Sequence, residues 1–391
     1  MNDRLIYLDN SATTKISEEA LSVYCEVSKS QFGNPSSLHT LGSEAEKLIR
    51  SAKDTLLNSL SAKGYKAVFT SSGSEANNLA IIGRALSKER YKRGAKIITT
   101  DGEHASVNSP LDELQKQGFK IAKISTKCGK IDLNHLRQEM TPDTILVTMM
   151  MVNNETGALY DLKSVSEIMK RQAPESLLHV DATQSFMKIP FSVKSVGADM
   201  ITVSSHKIHG PKGVGALVVS ETVFTKKGLS PIIFGGGQEY GLRSGTENVP
   251  SIAAFGKAIE IEARALIENE KKLRGMRDYL LEKIKSTPSL SEISVTEPIV
   301  SAPHILNVTL PKIKSETMLH FLSSENIFVS SGSACSSNSQ HKTSALVAFG
   351  RSEAEADTSI RISFSHQNEK TDIDELCDAL ARGLSKLSRM R

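Results

Sequence analysis

The chain has 391 residues, 39% hydrophobic and 24% charged, enough for more than one domain around a sizeable core. Its net charge of +4 is spread along the chain rather than gathered into a basic stripe with interleaved aromatics, which argues against a nucleic-acid partner. No apolar run reaches membrane-spanning length, MNDRLIYLDNSATT lacks the order of a signal peptide, and Cys25, Cys128, Cys335 and Cys377 make no CxxC or CxH pair, so free thiols in a reducing cytoplasm are expected.

From about residue 65 to 220 strand-like and helix-like segments alternate. KAVFTSS, AKIITTD, FKIAKIS, TILVTMMMV, LLHVDA, ADMITVSS and GVGALVVS read as short buried strands. Most are separated by amphipathic segments such as SEANNLAIIGRAL, ASVNSPLDELQKQG and LKSVSEIMKRQ. Near-continuous apolar strands with helical crossovers predict a mainly parallel α/β sheet covered on both faces.

A long helical stretch, SIAAFGKAIEIEARALIENEKKLRGMRDYLLEKIKS, keeps Leu273, Met276, Leu280 and Ile284 at helical spacing and is long enough to bridge two domains. After it, HILNVTL, KSETMLHFLSSEN, IFVSS, SIRISFS and a final helix predict a smaller α/β unit. That final helix carries Ile373, Leu376, Leu380, Leu384 and Leu387 on one face and puts Cys377 near the core edge. The serine-rich run SSGSACSSNSQHKTS predicts a polar loop.

In open parallel sheets, ligands sit beyond the carboxyl ends of the strands. Four strand ends here carry polar groups. TSSGSEANN, after the first strand, opens a helix whose backbone N–H groups and Ser74 hydroxyl suit a phosphate, although taken alone an ordinary N-cap with Glu75 in the first turn is the better explanation. His104 follows the second strand. Asp181 ends LLHV and needs either solvent or a cation, and Ser204, His206 and Lys207 end the next strand. GPKGVG lacks the GxxxxGK[ST] order of a nucleotide-binding loop.

A phosphate cradle, a buried aspartate, a histidine and a lysine at neighbouring strand ends are what pyridoxal phosphate needs: the lysine for a Schiff base, the aspartate to keep the pyridine nitrogen protonated, a flat ring to stack. The order of motifs then resembles the cysteine desulfurases of the NifS/IscS type, members of the fold type I pyridoxal-phosphate enzymes in the class V aminotransferase superfamily. The resemblance runs nearly end to end through YLDNSATT, FGNPSS, FTSSGSEANNLAI, EHAS, VNNETG, HVDATQS, SSHKIHGPKGVGAL, GGGQEYGLRSGTENV, HILNV, VSSGSAC and SIRIS.

The resemblance implies a large cofactor domain over 15–260 with a mainly parallel seven-stranded sheet. It implies a smaller C-terminal α/β domain over 261–391, against which 1–14 packs. Lys207 is then the Schiff-base lysine and His104 the ring-stacking histidine. Asp181 pairs with the pyridine nitrogen and Gln184 with the phenolate oxygen. Gly73, Ser74, Ser204 and His206 hold the phosphate, and Thr246 reaches the phosphate of a neighbouring subunit in a homodimer. Asn154 lies against cofactor and substrate, and Arg361 holds the substrate carboxylate.

Cys335 stands apart from the other thiols because SSGSAC surrounds it. The implied reaction removes sulfur from L-cysteine: Lys207 moves the Cα proton, His104 is a candidate proton carrier, and the Cys335 thiolate takes the sulfur as a persulfide. Alanine is released and the sulfur passes to an acceptor protein, an iron–sulfur scaffold or a thiolation enzyme. Cys335 is also a candidate transient iron–sulfur ligand, and no other metal is expected. The residues after the cysteine, SSNSQHKTSALVAFG, depart from the family's usual Leu-Glu-Pro-Ser run, so the acceptor-facing side chains differ. Selenocysteine lyase and small aminotransferases share the fold. A transaminase has no use for such a thiol, and a non-catalytic relative would have lost the lysine, aspartate or cysteine.

Overall fold

The computed structural model describes residues 4–88, 94–331 and 345–388. Strand β1 (Ile6–Tyr7) opens the chain. The next seven are β2 (Tyr65–Thr70), β3 (Lys96–Thr100), β4 (Lys120–Ile124), β5 (Thr144–Met150), β6 (Leu177–Asp181), β7 (Met200–Ser204) and β8 (Gly215–Ser220), and they form one sheet in the order β2-β8-β7-β6-β5-β3-β4. Strands β3 to β7 pair in parallel, but β8 runs antiparallel to both β2 and β7. Only ten residues join β7 to β8, too few for a parallel crossover, and that shortness reverses the strand. Strands β2 to β7 therefore all point their carboxyl ends to one edge.

Both faces of this sheet are buried, which is why every residue of β5 is buried, Thr144 and Thr148 included. Successive residues of β2 serve opposite cores: Val68 packs beneath the helix Gly73–Leu86 with Leu79 and Ile81, while Ala67 and Phe69 face Ala52, Leu56 and Phe255. Two helices before β2, Glu18–Ser30 and Thr40–Ser59, cover that second face together with the start of the helix Val249–Ser286.

The long helix buries Ile252, Phe255 and Ile259 in the sheet's core and Leu273, Met276, Leu280 and Ile284 in a separate one. The second core lies against the antiparallel sheet β12-β13-β10-β9, built from β9 (Ser294–Thr296), β10 (Ile305–Thr309), β12 (Ser330–Ser331) and β13 (Ser359–Ser363). The final helix, Lys370–Ser388, adds Ile373, Leu376 and Leu380. Cys377 is 2% exposed, inside this core rather than at its edge, because it is flanked by the same apolar face.

The first residues of the chain are tied to this second unit. Strand β1 pairs in parallel with β11 (Ile327–Phe328), and Asp9 bridges Ser363. Ser11 N donates to Ser363 Oγ at 2.8 Å and Asn10 Nδ2 to the Ser363 carbonyl at 3.0 Å. This anchoring lays the Ser11 and Ala12 carbonyls across the carboxyl edge of the large sheet. No helix among the described residues is long and apolar enough to cross a membrane.

Candidate active site

The carboxyl ends of β2, β5, β6 and β7 open onto one cavity of about 320 Å³. Its walls bring together Gly73, Ser74, His104, Asn154, Asp181, Gln184, Ser204, His206, Lys207 and Arg361, ten of the twelve residues singled out from the sequence. Thr246 is exposed and does not line it. Cys335 lies outside the described residues.

At one end, the helix Gly73–Leu86 points its N-terminus at the cavity. Ser72 is the N-cap, its Oγ accepting the Glu75 N–H at 3.1 Å, and it leaves Gly73 and Ser74 at the first turn. Such an end attracts anions through its unpaired N–H groups and dipole. The space beside it is kept by glycines. A Cβ on Gly73 would lie 3.3 Å from both Ser204 Cβ and Thr183 Oγ1, and one on Gly215 would lie 2.6 Å from the Ser72 carbonyl carbon. Across this gap Ser204 Oγ is buried without a hydrogen-bond partner, a cost unless a ligand accepts from it. His206 Nδ1 meets Thr13 Oγ1 at 3.1 Å, and burial followed by the Lys207 charge pulls its imidazole down to about 4.

At the other end, Asp181 closes β6 and is only 6% exposed. Its carboxylate is fixed by two donors, Asn77 Nδ2 to Oδ2 at 2.8 Å and the Thr183 N–H to Oδ1 at 2.9 Å. Asn77 Nδ2 also reaches Ser106 Oγ at 2.9 Å. Gln184 donates through Nε2 to the Ser11 carbonyl at 2.9 Å, while its Oε1 is buried without a partner.

Lys207 leaves β7 through the short turn Ser205–Lys207, beside β6 and hence beside Asp181. Its ammonium donates to the carbonyls of Ser11 and of Ala12, the latter at 2.8 Å. His104 caps the helix Ala105–Lys116. Its Nδ1 accepts the Ser106 N–H at 3.1 Å, which puts the proton of the neutral ring on Nε2. The side chain is open to the cavity, yet the protein packed around it lowers the imidazole below its ordinary value.

Arg361 comes from β13 of the second unit. One guanidinium nitrogen donates to the Asn154 carbonyl at 3.0 Å, a second reaches Asp9 Oδ1 at 2.9 Å, and Nε is buried without a partner. Beneath His104, Glu103 is buried, accepting from Thr100 Oγ1 at 2.6 Å and from the Met150 N–H at 3.0 Å. Burial pushes its carboxyl up to about 8.

Sequence reasoning missed Ser11, Asp9, Thr13, Asn77, Thr183 and Glu103. Asn77 and Glu103 sit inside SEANN and EHAS, one helical turn and one residue from residues that were singled out. The N-terminal trio sits inside YLDNSATT, a motif that gave its residues no role, and its pairing with β13 brings it to the cavity.

The aminotransferase class-V family model matches residues 6–376. Cysteine desulfurase IscS 1 of Archaeoglobus fulgidus is 38% identical over 386 residues, covering 98% of each chain. Among solved structures, a NifS-like protein superposes with a TM-score of 0.89 at 32% identity, covering 98% of this chain and 100% of the other. SspA in complex with cysteine gives a TM-score of 0.78 at 32% identity, covering 93% and 99%.

Proposed function

The chain belongs to the aminotransferase class-V family and, within it, to the cysteine desulfurases, and we propose that it takes sulfur from L-cysteine and releases L-alanine. The observation that carries this reading is the convergence of Lys207, Asp181 and the Gly73–Ser204 gap on one cavity.

The residues fit pyridoxal phosphate. A partnerless Ser204 Oγ faces a helix N-terminus across a gap that only glycine leaves open, and that gap suits a phosphate. Asp181, held by Asn77 and Thr183, suits a protonated ring nitrogen, and Gln184 and His206 suit the remaining polar edges. When bound, the cofactor supplies an electron sink that acidifies the Cα hydrogen of an amino acid.

Arg361 binds the substrate carboxylate and Asn154 orients it. His104 presents a neutral face to the cofactor ring and keeps a proton on Nε2 for delivery. Lys207 Nζ moves the Cα proton, with the Ser11 and Ala12 carbonyls holding it in position. The Cys335 thiolate forms an S–S bond with the substrate sulfur as the substrate C–S bond breaks. The electron pair stays with the carbon skeleton, which takes up a proton and leaves as alanine. The Cys335 persulfide then passes its outer sulfur to an acceptor, an iron–sulfur scaffold or a thiolation enzyme, in a reducing cytoplasm.

The working form is a homodimer with Thr246 reaching the partner's phosphate. Its exposure away from the chain's own cavity supports this, as do the exposed apolar Phe32, Leu38 and Phe234. Alanine and sulfide measured together from L-cysteine with a thiol reductant test the whole reading. Equal yields, lost in Cys335→Ser although the cofactor band persists, are expected. Alanine without sulfide, or activity undiminished in Cys335→Ser, would overturn it.

A further inference from the structure

Behind Lys207, on the side away from the cavity, three side chains from distant parts of the chain converge. His209 follows the Lys207 turn, Glu262 projects from the middle of the helix Val249–Ser286, and His366 lies between β13 and the final helix. Among the described residues this is the one group of three His, Cys, Asp or Glu side chains whose ligand atoms all lie within 4.8 Å of one another. They line a crevice of about 20 Å³, together with Lys188 and the stem of Lys207. That is room for one small ion or one water.

We infer that His209, Glu262 and His366 form a binding site for a divalent transition-metal ion of the zinc class, separate from the cofactor cavity. Two imidazoles and a carboxylate are the donor set such ions prefer over magnesium or calcium.

The partners of each side chain fit the assignment. His209 Nδ1 lies 2.9 Å from the Lys15 carbonyl, which can only accept, so the proton sits on Nδ1 and Nε2 offers its lone pair. The residue is held at φ +60 by its own N–H donating to Thr14 Oγ1 at 2.7 Å and by its carbonyl accepting from Ser17 at 2.9 Å. A bulky side chain in that backbone region needs such support. Glu262 Oε2 accepts from Asn269 at 3.3 Å and stands 3.6 Å from His366 Nδ1. The two imidazole rings lie with centroids 4.7 Å apart at 58°. Zinc bonds of about 2.0–2.2 Å need ligand atoms roughly 3.4 Å apart, so the triad closes by about an ångström around an ion, within reach of side-chain rotation.

Lys188 is the counter-argument within the structure. Its amine is buried without a hydrogen-bond partner beside Glu262, and as an ammonium it competes with a cation for that carboxylate. This makes a signed prediction: removing the amine favours the metal.

The test is a Co²⁺ titration of the untagged holoenzyme with its thiols capped, read by d–d absorbance and by equilibrium dialysis. One Co²⁺ per chain, displaced by Zn²⁺, is expected. Glu262→Gln and His366→Ala should each weaken binding beyond the roughly 10–100-fold that losing an outer partner costs, and Asn269→Ala should fall inside that range. Lys188→Met should tighten it several-fold. If Glu262→Gln fails to fold, His366→Ala, a change at a partly exposed loop residue, carries the test. No binding to the wild type, or binding that neither His366→Ala nor Glu262→Gln alters, overturns the site.

Discussion

Asn77 Nδ2 donates to Asp181 Oδ2 over 2.8 Å, so a residue one turn into the phosphate-end helix sets the orientation of the carboxylate at the far end of the cavity. One helix thus reaches both ends of the cavity, with Gly73 and Ser74 at its first turn and Asn77 on Asp181. Losing a hydrogen bond to a charged group costs about 1.5–3 kcal/mol, so Asn77→Ala should weaken pyridoxal phosphate binding roughly tenfold to a hundredfold. A cofactor titration followed by absorbance checks this, and unchanged affinity would show that Thr183 alone suffices.

Lys207→Ala should abolish the borohydride-reducible link between protein and cofactor while the phosphate cradle still admits the free cofactor. Mass spectrometry after reduction gives the answer. A surviving covalent adduct would move the linkage to another amine, Lys188 in the shared crevice being a candidate.

Gly215→Ala drives a methyl to 2.6 Å from the Ser72 carbonyl carbon and 2.8 Å from the Gly73 nitrogen. Overpacking of this kind costs about 1–3 kcal/mol, and here it also shifts the turn that faces the phosphate. Both stability and cofactor affinity should fall. At Gly275, within the long helix, an added methyl would meet nothing within 4 Å. Its change to Ala should instead stabilise the protein by about 0.5–1 kcal/mol, without touching cofactor affinity. Denaturant melts of both variants decide the matter.

Glu103 is pushed by burial from an ordinary 4.5 up to about 8. Below the lower value both folded and unfolded chains carry the proton. Between the two values the unfolded chain gives it up while the folded one keeps it, so this group's contribution to stability is fully present at low pH and is lost as pH rises toward 8. The stability difference between wild type and Glu103→Gln should therefore shift against the wild type across that window. Parallel curves would mean that the Thr100 and Met150 donors keep the carboxylate ionised.

Much of this was written locally. LKSVSEIMKRQ is the helix Leu162–Gln172 residue for residue, and each of the seven strand segments of the large sheet became a strand, because periodicity and burial agree there. The cavity residues at strand ends were legible for the same reason: a polar group that closes an apolar strand must meet something. The reversed direction of β8 was legible too, in the ten residues before it, but only when loop length is weighed against strand direction. The helices Glu18–Ser30 and Thr40–Ser59 carry ordinary signals, such as Ser17 as an N-cap before Glu18 and Glu19. Asp9, Ser11 and Thr13 lie in the legible motif YLDNSATT, but their roles were not legible, because nothing near them in sequence tells that their partners are Arg361, Lys207 and His206.

The pairing of Ile6 with Ile327 has a consequence for how the protein is made. A ribosome adding roughly 5–20 residues per second needs some tens of seconds to travel between them. During that interval the Ser11 carbonyl that steadies Lys207 and Gln184 has no anchor, since Ser363 is not yet synthesised. The large sheet can be complete while its cavity still lacks a wall. Cofactor capture should then wait for β13, and a nascent chain stalled before it should emerge folded in its first half and colourless.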